Sequence, residues 1–237
     1  MRSGRTISIG SSGGTSMMQE INFLERYHKQ TARDYLARVT EHDKAESAAR
    51  ARLWGADYWD GDRRYGYGGY RYDGRWRPVA ADIARHYGLA PGQRVLDVGC
   101  GKGFLLFELT QVVPGLEIAG LDISTYAVEH AKPEVRPSLV TGDCTSLPWP
   151  DRSFDLVISL NTFHNLTAPQ LKAALQEVQR VSRGAAWICV ESFRNEREKV
   201  NLLYWQLTCE SFFRPEGWRF LFDEWGYRGD YGFIYFE

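Results

Sequence analysis

Val95-Leu96-Asp97-Val98-Gly99-Cys100-Gly101-Lys102-Gly103-Phe104 decides the fold of this 237-residue chain. An apolar run, Arg94 to Val98, ends in a glycine-rich turn, and a helix-like run from Phe104 to Leu109 follows at once. Glycines at 99, 101 and 103 let the backbone turn tightly and come close to a bound ligand. Asp97 stands two residues before the first of them. A second apolar run, Leu116 to Leu121, ends in Asp122, where an acid can meet a ribose diol. A third ends at Gly142-Asp143, and a fourth, Phe154 to Ser159, follows Leu147-Pro148-Trp149-Pro150.

Working outward, helical and strand periods alternate. Strands are expected at 94–98, 117–121, 138–141, 154–159 and 186–190. Helices are expected at 78–87 (ended by Gly88), 104–113, 124–131 and 168–181. Such alternation predicts an α/β fold, a doubly wound, mostly parallel sheet with helices on both faces. Beyond 190 the pattern gives helices over 200–213 and 216–225, then Tyr227 to Phe236, enough for one good strand or two short ones. The sheet is therefore expected to have six or seven strands. From Gln19 to Leu53, Phe23, Leu24, Tyr27, Thr31, Tyr35, Leu36 and Val39 recur at helical spacing, a helical cap at the N-terminus. Residues 1–16, rich in Gly and Ser, are expected to be a disordered tail. The domain reading is thus 1–16 tail, 17–77 cap and loop, 78–237 ligand-binding domain.

Trp54 to Trp76, WGADYWDGDRRYGYGGYRYDGRW, is too glycine-rich for a helix and too aromatic for a plain linker. A loop folded over a ligand fits both facts, and so does an Ω-like loop held to the surface by its own aromatics.

The series VLDVGCGKG, GLDIS, GDCTSLPWPDRSFDLVIS resembles the class I S-adenosylmethionine (SAM)-dependent methyltransferases over residues 78 to 195. The aromatic loop and VNLLYWQLTCESFF near the C-terminus look like a type 11-like small bacterial subfamily, which the resemblance links to surface-glycan and nucleotide-linked metabolites. A nicotinamide enzyme is the rival cofactor reading, but its glycine spacing is GxGxxG, not GxGxG. The resemblance implies a Rossmann-like domain that binds SAM and releases S-adenosylhomocysteine. It implies cofactor contacts from Asp97, Gly99, Cys100 and Gly101, with Asp122 on the ribose and Ile123 on the adenine face. Asp143 and Cys144 would meet the adenine edge, and Asn161 would stand near the transferred methyl. His164, in the loop after the fourth strand, is the candidate base, with Tyr70 a second catalytic candidate. Tyr67, Tyr70, Tyr72, Arg75 and Trp76 of the loop, with Glu191 and Arg194 after the fifth strand, are candidate acceptor contacts.

The expected function is methyl transfer to an O or N atom of a small molecule, such as a sugar, nucleotide-linked or phosphorylated metabolite. A protein or RNA methyltransferase and a SAM-binding regulator without turnover remain as alternatives. Net charge of −1 gives no global basic field for nucleic acid. Four cysteines without CxxC spacing give no metal site and fit a reducing cytoplasm. No apolar run reaches the ~20 residues that span a bilayer, so no membrane partner is expected. Monomer and homodimer both stay open.

Overall fold

The computed structural model describes residues 18–25 and 33–237. The expected tail over 1–16, and Tyr27 and Thr31 of the expected helical cap, lie outside the described residues. One sheet organises the rest. Its strands are β1 (Arg94–Val98), β2 (Glu117–Asp122), β3 (Leu139–Thr141), β4 (Phe154–Leu160), β5 (Ser182–Glu191) and β6 (Asp230–Ile234). Their order is β3-β2-β1-β4-β5-β6, and every pairing is parallel. The period of two in β1 explains the layers. Val95 joins a core on one face with Ile83, Leu105, Leu156 and Trp187. Leu96 and Val98 join the opposite core with Leu171, Leu175, Val190 and Trp218.

The first core lies under α2 (Arg77–Tyr87) and α3 (Phe104–Val112), which supply Ile83 and Leu105. Gly88, at φ 61°, ends α2 in the left-handed conformation that only glycine takes freely. The second core lies under α5 (Ala168–Val181), with short α4 (Thr125–Glu129) following β2. The Thr167 N–H donates to Gln170 Oε1 at 3.1 Å, part of the capping box that opens α5.

Two expectations near the termini need correction. Residues 19–24 are not helical. Ile21 N–H donates to Tyr231 O at 2.7 Å and Tyr231 N–H to Gln19 O at 3.0 Å, so this segment runs parallel along β6 and covers the sheet edge. Trp187 Nε1 adds a bond to Ile21 O at 3.0 Å. Beyond residue 33 the cap is a single turn, Ala37–Thr40, and α1 (Lys44–Ala51), begun by Asp43 accepting from Ala45 and Glu46 N–H.

At the other end, the expected helix over 200–213 is α6 (Glu196–Trp205). Asn195 starts it early by accepting from Glu198 N–H at 3.0 Å. It stops at Gln206 because residues 206–211 strap across the loop after β4. Glu210 and Ser211 N–H both bond His164 O at 2.9 Å, and Thr208 Oγ1 donates to Asn165 Oδ1 at 2.8 Å. The strap, α6 and α7 (Pro215–Glu224) together make the crossover that lets β6 run parallel to β5. The sheet is therefore six-stranded and wholly parallel among the described residues.

Candidate active site

The functional residues gather at the carboxyl ends of the strands, where open parallel sheets bind ligands. Gly99 has φ +83°, and a Cβ there would fall 1.9 Å from Thr162 Oγ1, so the turn after β1 and the loop after β4 are in direct contact. Asp122 closes the turn from the other side. Its Oδ2 accepts from Gly101 N–H at 2.7 Å and its Oδ1 from Ser124 N–H at 2.8 Å. Burial pushes its carboxyl up, and these two backbone bonds pull it back.

A cleft of about 220 Å³ lies beside this turn. Gly99, Asp122, Ile123, Asp143, Cys144 and Asn161 line it, six of the nine residues expected to hold the cofactor. Asp97 lies behind them, 4% exposed, with Oδ1 lacking any hydrogen-bond partner. Burial and the nearby Asp122 charge push its carboxyl up to about 8. Ile123, by contrast, is 55% exposed on the cleft wall, an apolar face without cover. Cys100 turns its thiol into the core, so its place in the turn is a backbone one.

The aromatic loop covers the glycine turn. A Cβ on Gly101 would meet Trp59 Cη2 at 2.7 Å. Trp59 Nε1 donates to Trp54 O at 3.1 Å and Ser124 Oγ at 2.9 Å, and Tyr67 stacks on its ring at 5.3 Å. Lys102 anchors the cover. Its ammonium, on a side chain only 6% exposed, donates to both Asp60 oxygens, at 2.8 and 2.7 Å, and to Tyr70 O at 2.9 Å. Tyr126 adds a hydroxyl bond to Asp60 at 2.9 Å.

A second chamber, about 300 Å³, adjoins the cleft. Tyr58, Tyr67, Asn161 and Asn165 line both. Asn161 has φ 54°, strained for a residue with a side chain, and its buried Oδ1 lacks a partner. His164 and Glu191 line the second chamber. His164 Nδ1 accepts from Glu191 N–H at 3.4 Å, which leaves the ring proton on Nε2, 3.5 Å from Glu191 Oε2. Burial lifts the Glu191 carboxyl to about 8 and lowers His164 to about 3, so both are uncharged near neutrality. Gln206 donates to Glu191 Oε1, while Oε2 has no partner.

The expected acceptor contacts divide. Tyr67, Tyr70, Arg75 and Glu191 line the second chamber. Tyr70 accepts from Trp76 Nε1 at 3.0 Å and stacks on Phe104 at 4.9 Å. Tyr72, Trp76 and Arg194 are not brought to either space. Tyr72 donates to the buried Glu108 of α3 at 2.7 Å, and Trp76 is a core side chain. Arg194 pairs with Glu198 at 2.5 Å and Glu237 at 2.7 Å. Trp54, Tyr58 and Trp59 line the cleft, although the sequence singled out none of them beyond the aromatic loop as a whole. Arg33, Arg38 and Trp205 join the second chamber from distant segments, a meeting without any local signal.

The fold and site define a Rossmann-like domain with a cleft beside the turn after β1. Residues 95–184 match the model of a methyltransferase-domain family. Over that stretch the chain resembles a class I methyltransferase domain, whose cofactor is S-adenosylmethionine. It is 32% identical to a demethylmenaquinone methyltransferase of Roseiflexus sp. strain RS-1 over 139 residues, 56% of each chain. It is 33% identical to a sterol 24-C-methyltransferase of Gibberella zeae over 128 residues, 48% of this chain and 33% of that one. The chain thus spans about half or less of the length of these relatives. In fold it is similar to a chain from a Haloferax volcanii complex between the Trm112 methyltransferase activator and a methyltransferase. The TM-score is 0.53 at 22% identity, covering 83% of this chain and 77% of the other. Among the described residues no helix is long and apolar enough to cross a membrane.

The residues present fit this cofactor. The orphaned Asp97 oxygen suits an ammonium, Asp122 a diol, and the bare Ile123 face an adenine ring.

Proposed function

We propose that this protein transfers a methyl group from SAM to an oxygen or nitrogen of a small molecule. The observation that carries the reading is Asn161, shared by the cleft beside the glycine turn and a chamber that holds a buried carboxyl. A site of two joined compartments suits two reactants held in line. Bound SAM supplies an electrophilic methyl on a sulfonium. Asp97 binds the methionine ammonium, Asp122 accepts from the ribose hydroxyls, and Ile123 covers one adenine face, with Asp143 and Cys144 at its edge. Gly99 and Gly101 act by leaving room.

The proton acceptor is Glu191 rather than His164. Both His164 nitrogens are turned to Glu191, whereas Glu191 Oε2 is unpartnered in the chamber. As the acceptor atom takes the methyl, its proton passes to the ionised Glu191 carboxylate, which Gln206 holds through Oε1 while His164 accepts from the Glu191 backbone N–H. Tyr67 and Tyr70 form walls that exclude water. Titration of S-adenosylhomocysteine into the protein tests the cofactor site. We expect saturable binding, weakened about 100-fold by Asp122→Ala, and absence of binding to the unmodified protein would overturn the reading.

A further inference from the structure

Resting on the two-compartment reading, we infer that the second chamber recognises its acceptor through a phosphoryl group held by Arg38, Arg63 and Arg71. All three line this chamber and none lines the cofactor cleft. Arg38 and Arg63 each stand over the Trp205 ring, at 5.2 and 5.0 Å. Stacking of this kind fixes the guanidinium plane and leaves its edge for forked hydrogen bonding.

Their partners are all backbone oxygens. Arg38 donates to Arg63 O at 2.7 Å and Trp205 O at 3.3 Å, and Arg63 donates to Gly66 O. A guanidinium has five N–H groups, so most of this donor capacity is uncommitted among the described residues. Among the described residues Glu191 is the one acid lining the chamber, and burial keeps it protonated near neutrality, while Asp62 reaches Arg38 from outside that lining. Residues 1–17 and 26–32 contain no aspartate or glutamate, so the chain outside the described residues holds no acid to neutralise the cluster. Burial first, and then the Arg63 charge, bring the Arg38 guanidinium down to about 10 against the opposing pull of Tyr58 and Asp62.

A single carboxylate offsets one such charge. A phosphoryl group brings nearly two negative charges and three acceptor oxygens. The arginines converge on a chamber of about 300 Å³ in a chain of net charge −1, which suits a small anionic molecule over a polyanion. Asn161 stands where this chamber meets the cleft, so the phosphoryl end lies at the arginines and the reacting atom at Asn161 and Glu191.

Calorimetric titration of the S-adenosylhomocysteine-saturated protein with inorganic phosphate, pyrophosphate and malonate tests this. We expect phosphate or pyrophosphate to bind and malonate to bind at least tenfold more weakly. Arg63→Gln should weaken phosphate binding at least tenfold. Arg71→Gln, at an exposed residue, keeps the test valid if Arg63→Gln does not fold, and should weaken binding severalfold. S-adenosylhomocysteine affinity should be unchanged in both variants. Malonate binding as tightly as the phosphoryl ligands, binding of neither phosphate nor pyrophosphate, or binding indifferent to both variants would overturn the inference. Failure to bind S-adenosylhomocysteine would instead overturn the cofactor reading, and phosphate titration of the free protein would still report on the arginines.

Discussion

Lys102 Nζ lies 2.8 and 2.7 Å from the two carboxylate oxygens of Asp60, joining the glycine turn after β1 to the aromatic loop that covers it. This pair decides whether the loop is part of the site or only near it. Because the ammonium is buried, removing either partner leaves the other poorly satisfied. Lys102→Met should cost about 2 kcal/mol of stability, the scale of a hydrogen bond to a charged group. It should also weaken SAM binding, since Trp59 and Tyr67 are placed through the same loop. Against the opposing pull of burial, bonds from Lys102 and Tyr126 hold the Asp60 carboxyl below its ordinary range. The pair therefore stabilises the fold at neutral pH, and this contribution fades as pH falls below about 4. Urea titrations of both proteins at pH 7 and pH 3.5 check this, and the gap between them should shrink at the lower pH.

Asp97 provides a second expectation. Its carboxyl rises from 3.8 to about 8, so in the free protein it holds a proton at pH 7. Between about pH 4 and 8 the unfolded chain has released that proton while the native chain retains it. Free-protein stability from this group therefore falls as pH rises through that window. A ligand ammonium beside Asp97 favours the charged form, so binding should release close to one proton at pH 7. Calorimetry in buffers of different ionisation enthalpy measures this. Asp97→Asn should bind more weakly without that release, and an identical release from the variant would assign the proton elsewhere.

Glu191 sets the pH profile of turnover. Its carboxyl, raised to about 8 by burial in the free protein, ionises as pH increases, so kcat/KM should climb through pH 8. Glu191→Gln should lower kcat by about 10² to 10⁴, the usual worth of a positioned base, and flatten that limb. His164→Gln should keep the limb, with a loss of roughly tenfold from misplacing the carboxylate. The reverse pattern would make His164 the base.

Gly99→Ala meets two obstacles, a backbone at φ +83° and Thr162 Oγ1 at 1.9 Å. The change should abolish measurable SAM binding, because the β4 loop must move away from the turn. Adding Thr162→Gly removes the collision and leaves the backbone strain, about 1 to 2 kcal/mol. Partial recovery of binding in the double variant would identify crowding as the main cause.

The central sheet was legible because its strands obey simple periods and its turns carry glycine and acid at the ends. Val95 and Leu96 face opposite cores, as alternation requires. The ends of the chain were less legible for a physical reason. Gln19 to Leu24 was read as the start of a helix, yet the open edge of β6 captures it through a β-bridge at Glu20. Gln206 to Ser211 reads as a continuing helix, yet its bonds to His164 O and Asn165 hold it extended. In the site, the cofactor cleft followed from local motifs. The arginine chamber followed only in part, because Tyr67, Tyr70, Arg75 and Glu191 were expected there but Arg38 and Trp205 join them only through tertiary contact. Aromatic content alone also failed to separate Tyr67, which lines the site, from Tyr72, which packs outside it.

Incubation with SAM carrying a labelled methyl group and a whole-cell extract tests the proposed reaction most directly. Small metabolites are separated from protein and nucleic acid before counting, and the metabolites are then passed over an anion exchanger. Label in small, anion-exchanger-retained compounds, lost with Glu191→Gln, is the expected result. Label confined to protein or nucleic acid, or no label above a protein-free control, would contradict a small-molecule methyltransferase built on these two chambers.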